Sequence, residues 1–198
     1  NPPSNWSKQS IISLSYGYEV STTLLRLTTS FALFANGGYL IEPRLVIDPE
    51  QYQKRSEKLY SDESLETMRS IFRKTASKEG TAKHATIEGY DIMGKTSTAN
   101  LLINGQYEKT KNLYGFVGIV EKKSSTQSLQ QANQHSNQQK NKKTYKRVIG
   151  VFLKESPQHN LFSSTVTAPC FKNIVEILLI HENAITGDSD AHSCNRTA

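Results

Sequence analysis

The chain has 198 residues, 36% of them apolar, and a formal charge of +6, enough for one medium domain with a real core but not comfortably two. Its longest apolar runs, residues 31–35 and 177–180, fall far short of the roughly 20 residues that a membrane-spanning helix needs. The basic excess is concentrated at Lys122-Lys123 and from Lys140 to Arg147, in a low-complexity stretch whose one aromatic is Tyr145, which favours a solvated basic loop over a nucleic-acid partner.

The opening Asn1-Pro2-Pro3-Ser4-Asn5 reads as loop, carries no initiator Met and is not of signal-peptide type. It predicts a chain that begins inside a longer protein, with any export signal or anchor upstream. Thr22 to Asn36 then reads as a helix. Leu24, Leu27, Phe31 and Phe34 recur at three- and four-residue steps, and Gly37-Gly38 supplies the stop. Arg44 to Ile47 reads as a short extended piece between Pro43 and Asp48-Pro49. A second helix fits Asp62 to Ser77. Ser61 can cap it, Asp62 and Glu63 suit its first turn, and Leu65, Met68 and Phe72 form one stripe. Gly80 is expected to end it.

Strands are predicted over Asp91 to Ala99, Leu113 to Val120 and Tyr145 to Leu153; the last two are rich in β-branched and aromatic residues. Residues 121–144 are crowded with Gln, Asn, Ser and Lys, a composition that predicts a disordered insertion between strands. Ala168 to Glu182 reads as an apolar helix begun by Pro169, and residues 183–198 as a polar tail. One domain over residues 1–182 follows, of class α+β, with an antiparallel sheet flanked by helices. Cys170 and Cys194 form no C-x-x-C pair and leave the redox compartment open, and the five His lack zinc spacing. No cofactor or metal is predicted.

The stretch that carries chemistry is Gly94-Lys95-Thr96-Ser97-Thr98-Ala99-Asn100. Strand alternation puts the Thr96 and Thr98 hydroxyls on one face. With Lys95 they could hold an anionic peptide terminus against a strand edge. A plainer reading of Lys95 is a solvated edge-strand charge that discourages sheet aggregation.

This stretch resembles the third signature of penicillin-binding proteins, Lys-Thr-Gly followed by Thr-Ala-Gln or a similar ending. Further matches follow in order. Ser13 to Val20 with Leu24 to Leu27 resembles the Gly-Tyr-Gly segment and following helix of division-type class B transpeptidases. Phe34 to Gly38 with Pro43 to Val46 resembles the Asn-Gly-Gly and Pro-Arg-Leu-Val passage. Gly80 to Lys83 and Ile87 to Tyr90 match the approach to the signature strand. Tyr114 to Gly118 and Arg147 to Val151 resemble the two strands after it, and Thr167 to Ile174 the opening of the last helix.

The resemblance implies the C-terminal part of a septal, class B peptidoglycan D,D-transpeptidase domain of the penicillin-binding and serine β-lactamase-like fold. Lys95 would stand beside the serine of the middle signature and support proton transfer. Thr96, Ser97 and Thr98 would bind the carboxylate end of a D-Ala-D-Ala stem peptide or a β-lactam. The Thr98 backbone N–H would form half of an oxyanion hole. Stem peptides and β-lactams are the implied partners, with divisome membrane proteins beside them and no nucleic acid. The implied location is the periplasmic or extracytoplasmic face of the bacterial inner membrane, reached through an N-terminal anchor outside these residues.

Two departures stand out. No Lys has a Ser three positions earlier, so the family's Ser-x-x-Lys nucleophile motif is absent from these 198 residues. Thr75-Ala76-Ser77-Lys78 has Thr in that place, and Ser193-Cys194-Asn195 has the Ser-x-Asn letters in the wrong order along the chain. The chain alone is therefore expected to be inactive. Ser97 stands where Gly is usual; it is expected on the face opposite Thr96 and Thr98, packed under the strand, with an effect on β-lactam affinity. A serine β-lactamase or β-lactam sensor of the same fold, and a non-catalytic peptide-binding module, are the competing functions.

Overall fold

The structure is a computed structural model that describes residues 3–46, 57–123, 145–154 and 161–190. In chain order it runs through helices α1 (Ser10–Ser15), α2 (Leu24–Asn36) and α3 (Asp62–Thr75), strands β1 (Tyr90–Ile103), β2 (Gln106–Lys122) and β3 (Lys146–Lys154), and helix α4 (Ser163–Asp190). The strands form one antiparallel sheet of order β1-β2-β3. The α+β architecture is the expected one.

Each early helix ends for a local reason. The Thr23 side chain accepts the Arg26 N–H at the start of α2, and Gly37 closes the helix at φ +88°, a left-handed cap that suits glycine. The Gly38 N–H then bonds the Leu33 carbonyl at 2.8 Å. At α3 the Ser61 side chain accepts the Ser64 N–H, with Asp62 and Glu63 in the first turn and Arg73 and Lys74 in the last, both favourable to the helix dipole. Gly80 does not terminate α3. The helix stops at Thr75, and the chain folds back until the Ala82 N–H bonds the Thr75 carbonyl at 2.7 Å. A side chain at Gly80 would collide with the Thr75 and Lys74 carbonyls. Of the extended piece, residues 44–46 form no strand and Ile47 lies outside the described residues.

β1 and β2 are longer than predicted and make one hairpin. Asn104 (φ +50°) and Gly105 (φ +79°) form its two-residue turn, the Asn-Gly pair that best matches strand twist. The pairing slips once, from Asn100↔Asn112 to Leu101↔Glu108. β2 runs on through Glu121 and Lys122, so the predicted insertion begins later than Glu121; residues 124–144 lie outside the described residues.

Cross-strand partners share a face, and each face has its own cover. On one face Ile92, Phe116 and Val120 pack with Ala168, Phe171 and Val175 of α4, and the Phe116 and Phe171 rings meet edge-on at 4.8 Å. On the other, Met93, Val117 and Ile119 pack with Phe31 of α2 and Phe72 of α3, whose rings stack at 5.0 Å. At Gly118 an added Cβ would lie 2.8 Å from the Phe171 ring, so the absence of a side chain lets α4 approach. α4 itself begins five residues before the predicted Ala168, and Pro169 lies inside it. The side chain of Ser163, the first residue of α4, bonds to the sheet, as described below. Helix continues to Asp190 through the first part of the predicted tail; residues 191–198, with Cys194, lie outside the described residues. Among the described residues no helix is long and apolar enough to cross a membrane.

Candidate active-site wall

β1 is the outer strand of the sheet, so one edge of its backbone has no strand partner among the described residues. The register Thr96↔Phe116 and Thr98↔Tyr114 puts both threonines on the α4 side of the sheet. Lys95↔Val117 and Ser97↔Gly115 belong to the α2 and α3 side. Alternation is therefore as expected. The surroundings are more crowded than expected.

Lys95 is exposed, and its Nζ donates back to the Thr96 carbonyl at 2.8 Å. The Thr96 Oγ1 lies 3.1 Å from the Thr81 Oγ1, in the loop that follows α3. The Thr75 hydroxyl, 2.8 Å from the Phe72 carbonyl, also bonds the Gly94 carbonyl. The end of α3 thus grips the strand just before Lys95.

Ser163 grips it just after. Its side chain is buried to 1% exposure and touches three groups. The hydroxyl bonds the Ser97 carbonyl, lies 2.9 Å from the Thr98 Oγ1, and accepts the Gly115 N–H at 3.3 Å. The Ser163 N–H meanwhile bonds the Thr98 Oγ1 at 3.3 Å. A serine hydroxyl has one proton and two lone pairs. With its proton on the Ser97 carbonyl and one lone pair on the Gly115 N–H, the other lone pair takes the Thr98 proton. Thr98 keeps one free lone pair, so presenting its proton to a carboxylate requires turning its side chain away from Ser163.

Ser97 is not packed beneath the strand. It is exposed, and its Oγ occupies the room where a side chain at Gly115 would stand. β2 accommodates the serine by having glycine opposite it.

Charged pairs fix the near end of the hairpin to α3. Arg69 Nη2 bonds Glu121 Oε2 at 2.5 Å, Lys146 Nζ lies 3.0 Å from Glu121 Oε1, and Arg73 Nε bonds Asp91 Oδ2 at 2.6 Å. Burial alone would push the Glu121 carboxyl up, but the hydrogen bonds from Arg69 and Lys146 overcome it and hold the group below its ordinary value. Glu66 is held low by its hydrogen bond from Arg73.

At the far end of the strand, a groove of about 790 Å³ continues from Ala99 and Asn100 between the hairpin and residues 6–21, with Trp6, Tyr18, Leu102 and Tyr107 among its walls. Lys95, Thr96, Ser97 and Thr98 are thus consecutive on the outer strand, with Thr96 and Thr98 on one face and Lys95 and Ser97 on the other. Sequence reasoning missed Ser163 and Thr75, which anchor that edge. The first carries no motif, and the second was noticed only as a false start of a nucleophile motif.

The family model described as penicillin binding protein transpeptidase domain matches residues 1–154. A probable peptidoglycan D,D-transpeptidase, PenA of Neisseria gonorrhoeae, is 21% identical over 86% of this chain and 26% of its own length. The penicillin-binding protein PbpB of Mycolicibacterium smegmatis is 33% identical over 50% of this chain and 17% of its own. The chain thus spans about a quarter or less of these curated relatives. In the solved structures, the transpeptidase domain of penicillin-binding protein 3 from Burkholderia pseudomallei superposes with TM-score 0.69 at 23% identity, over 91% of this chain and 48% of that one. Penicillin-binding protein 3 of Mycobacterium tuberculosis, solved with aztreonam, gives TM-score 0.67 at 24% identity, over 92% and 40%. The chain belongs to the transpeptidase-domain family of penicillin-binding proteins, and its relatives are of the class B kind.

Proposed function

We propose that the protein is a peptidoglycan D,D-transpeptidase of the division type, and that these residues form one wall of its site. The observation that carries this reading is the position of Lys95, Thr96 and Thr98 on the outer strand of a sheet whose family match spans residues 1–154. The serine and its base come from a Ser-x-x-Lys segment outside these 198 residues. In the first half-reaction the serine hydroxyl attacks the penultimate D-Ala carbonyl, and the terminal D-Ala leaves as an amine with the proton. An acceptor amine then attacks the ester and the serine regains its proton.

Each residue of the wall has a role in that scheme. The Lys95 ammonium lends a positive field to the serine and the substrate. The Thr96 and Thr98 hydroxyls take the substrate carboxylate once they leave Thr81 and Ser163, with Ser97 beside them on the strand. The Thr98 N–H is one of the oxyanion donors, a contact whose removal typically costs about 2.7–4 kcal/mol at the transition state. β-Lactams, whose carboxylate and acyl carbonyl mimic those of D-Ala-D-Ala, bind the same wall. Structures of the Mycobacterium tuberculosis penicillin-binding protein 3 with aztreonam and with ampicillin support that part. The site works on the extracytoplasmic side of the membrane, where peptidoglycan is.

Fluorescent penicillin tests the reading. The full-length protein should take one label per chain, and the 198-residue chain should take none. A full-length protein that stays unlabelled would contradict the transpeptidase reading. Stoichiometric labelling of the 198 residues would contradict the external nucleophile.

A further inference from the structure

The two threonines proposed to hold a substrate carboxylate are not equivalent. Thr96 meets one neighbour, the Thr81 hydroxyl at 3.1 Å, in an exposed contact. Water replaces such a bond at little cost, because one hydrogen bond is exchanged for another. Thr98 is held twice by a single residue. Its Oγ1 lies 2.9 Å from the Ser163 Oγ and accepts the Ser163 N–H at 3.3 Å. Ser163 is itself fixed: it is 1% exposed, and its carbonyl accepts the buried Thr167 hydroxyl at 3.0 Å.

The direction of these bonds decides what Thr98 offers to a ligand. The one proton of the Ser163 hydroxyl goes to the Ser97 carbonyl, and the Gly115 N–H occupies one of its lone pairs. The lone pair that remains can only accept, so the Thr98 proton points at Ser163. The Ser163 N–H takes one of the Thr98 lone pairs in turn. What the exposed Thr98 turns to solvent is then a lone pair. A carboxylate binds hydroxyl protons and is repelled by a lone pair. The strand in this state presents one donor hydroxyl to an anion, that of Thr96, instead of two. One atom sets the state. The Ser163 N–H belongs to the backbone, so an alanine at this position would still hold the Thr98 Oγ1 while leaving the Thr98 proton free to turn outward.

We propose that Ser163 is a specificity-determining residue of the site: its hydroxyl withholds Thr98 from ligands that bind through a carboxylate, and so slows their acylation. The inference rests on the transpeptidase reading, which makes those ligands stem peptides and β-lactams. Stability and binding pull in opposite directions at this residue, because the hydroxyl that ties α4 to the strand is the one that competes with the ligand.

The test is the second-order rate at which fluorescent penicillin acylates the full-length protein, at a temperature where circular dichroism shows each variant folded. Ser163→Ala should acylate roughly three- to tenfold faster, the gain expected when one competing hydrogen bond is removed. In a Thr98→Val background the same substitution should bring no gain, since there is no hydroxyl to release. A general loosening of α4 would instead act alike in both backgrounds. If the alanine variant does not fold, Ser163→Cys serves. Its thiol keeps a side chain in place but accepts hydrogen bonds only weakly, so it too should acylate faster. Unchanged or slower acylation in the folded variant overturns the inference, as does an equal gain in the Thr98→Val background. Both results leave the transpeptidase reading standing. An unsubstituted full-length protein that takes no label contradicts that reading, and the inference falls with it.

Discussion

Ser163 and Thr98 show how one buried hydroxyl can set the state of a binding edge. Replacing Ser163 by Ala leaves the Gly115 N–H and the Ser97 carbonyl without that partner in a buried position, and an orphaned buried polar group costs about 1–3 kcal/mol. Ser163→Ala should therefore lower the midpoint of thermal unfolding, measured by circular dichroism, by a margin that a surface Ser→Ala such as Ser4→Ala does not approach. At the facing position, Gly115→Ala would push a methyl into the Ser97 Oγ and the Phe152 ring. Overpacking of this kind costs about 1–3 kcal/mol, to be read as a shift of the urea midpoint at unchanged slope. Neither effect was legible in the sequence. Alternation along 96–98 placed Thr96, Ser97 and Thr98 correctly by face, because period two is a property of the strand itself. What touches each face depends on residues 65 positions away, and Ser163 stands in no pattern that names it.

The elements whose start is written locally were the ones read well. Ser61 before Asp62-Glu63 and Thr23 before Leu24 are caps that act within one turn, so α2 and α3 began where expected, within two residues. Pro169 misled because proline is favoured in the first turn of a helix, whereas α4 starts at Ser163, five residues before the predicted Ala168. The hairpin turn was within reach, since Asn104-Gly105 is a two-residue turn signal. The predicted strand stopped at Ala99 and left Leu101 to Ile103 in no element, so the turn had no strand to close.

At this scale the ion pairs that tie α3 to the sheet make a pH prediction. The Glu121 carboxyl is held below the value of 4.5 it has when free. In that window the unfolded chain binds more protons than the folded one, so stability rises with pH. The contribution of Glu121 is present above pH 4.5 and is lost as pH falls through the lower folded value. Thermal midpoints measured from about pH 6 down to about pH 3 should fall less steeply for Glu121→Gln than for the unsubstituted chain. A steeper fall in the variant would mean that the Arg69 and Lys146 bonds do not hold the carboxylate.

On the scale of the whole molecule, a three-stranded sheet is covered by α4 on one face and by α2 and α3 on the other. The strand that carries Lys95 to Thr98 is left at the edge. α3 grips it through Thr75 and α4 through Ser163, so both layers bear on the four residues proposed to meet the substrate. The family and the α+β architecture were legible in the order of many short likenesses, from Ser13-Leu14-Ser15-Tyr16 to Thr167-Ala168-Pro169.

The most direct test of the wall is the second-order rate of penicillin acylation of the full-length protein carrying Lys95→Ala or Thr98→Val. Loss of the field or of a carboxylate contact should slow acylation by about 10²-fold or more, the scale set by removing one preorganised electrostatic group, with circular dichroism unchanged. Acylation at the unsubstituted rate in both variants would contradict the account, because the edge of β1 would then not be where the ligand binds.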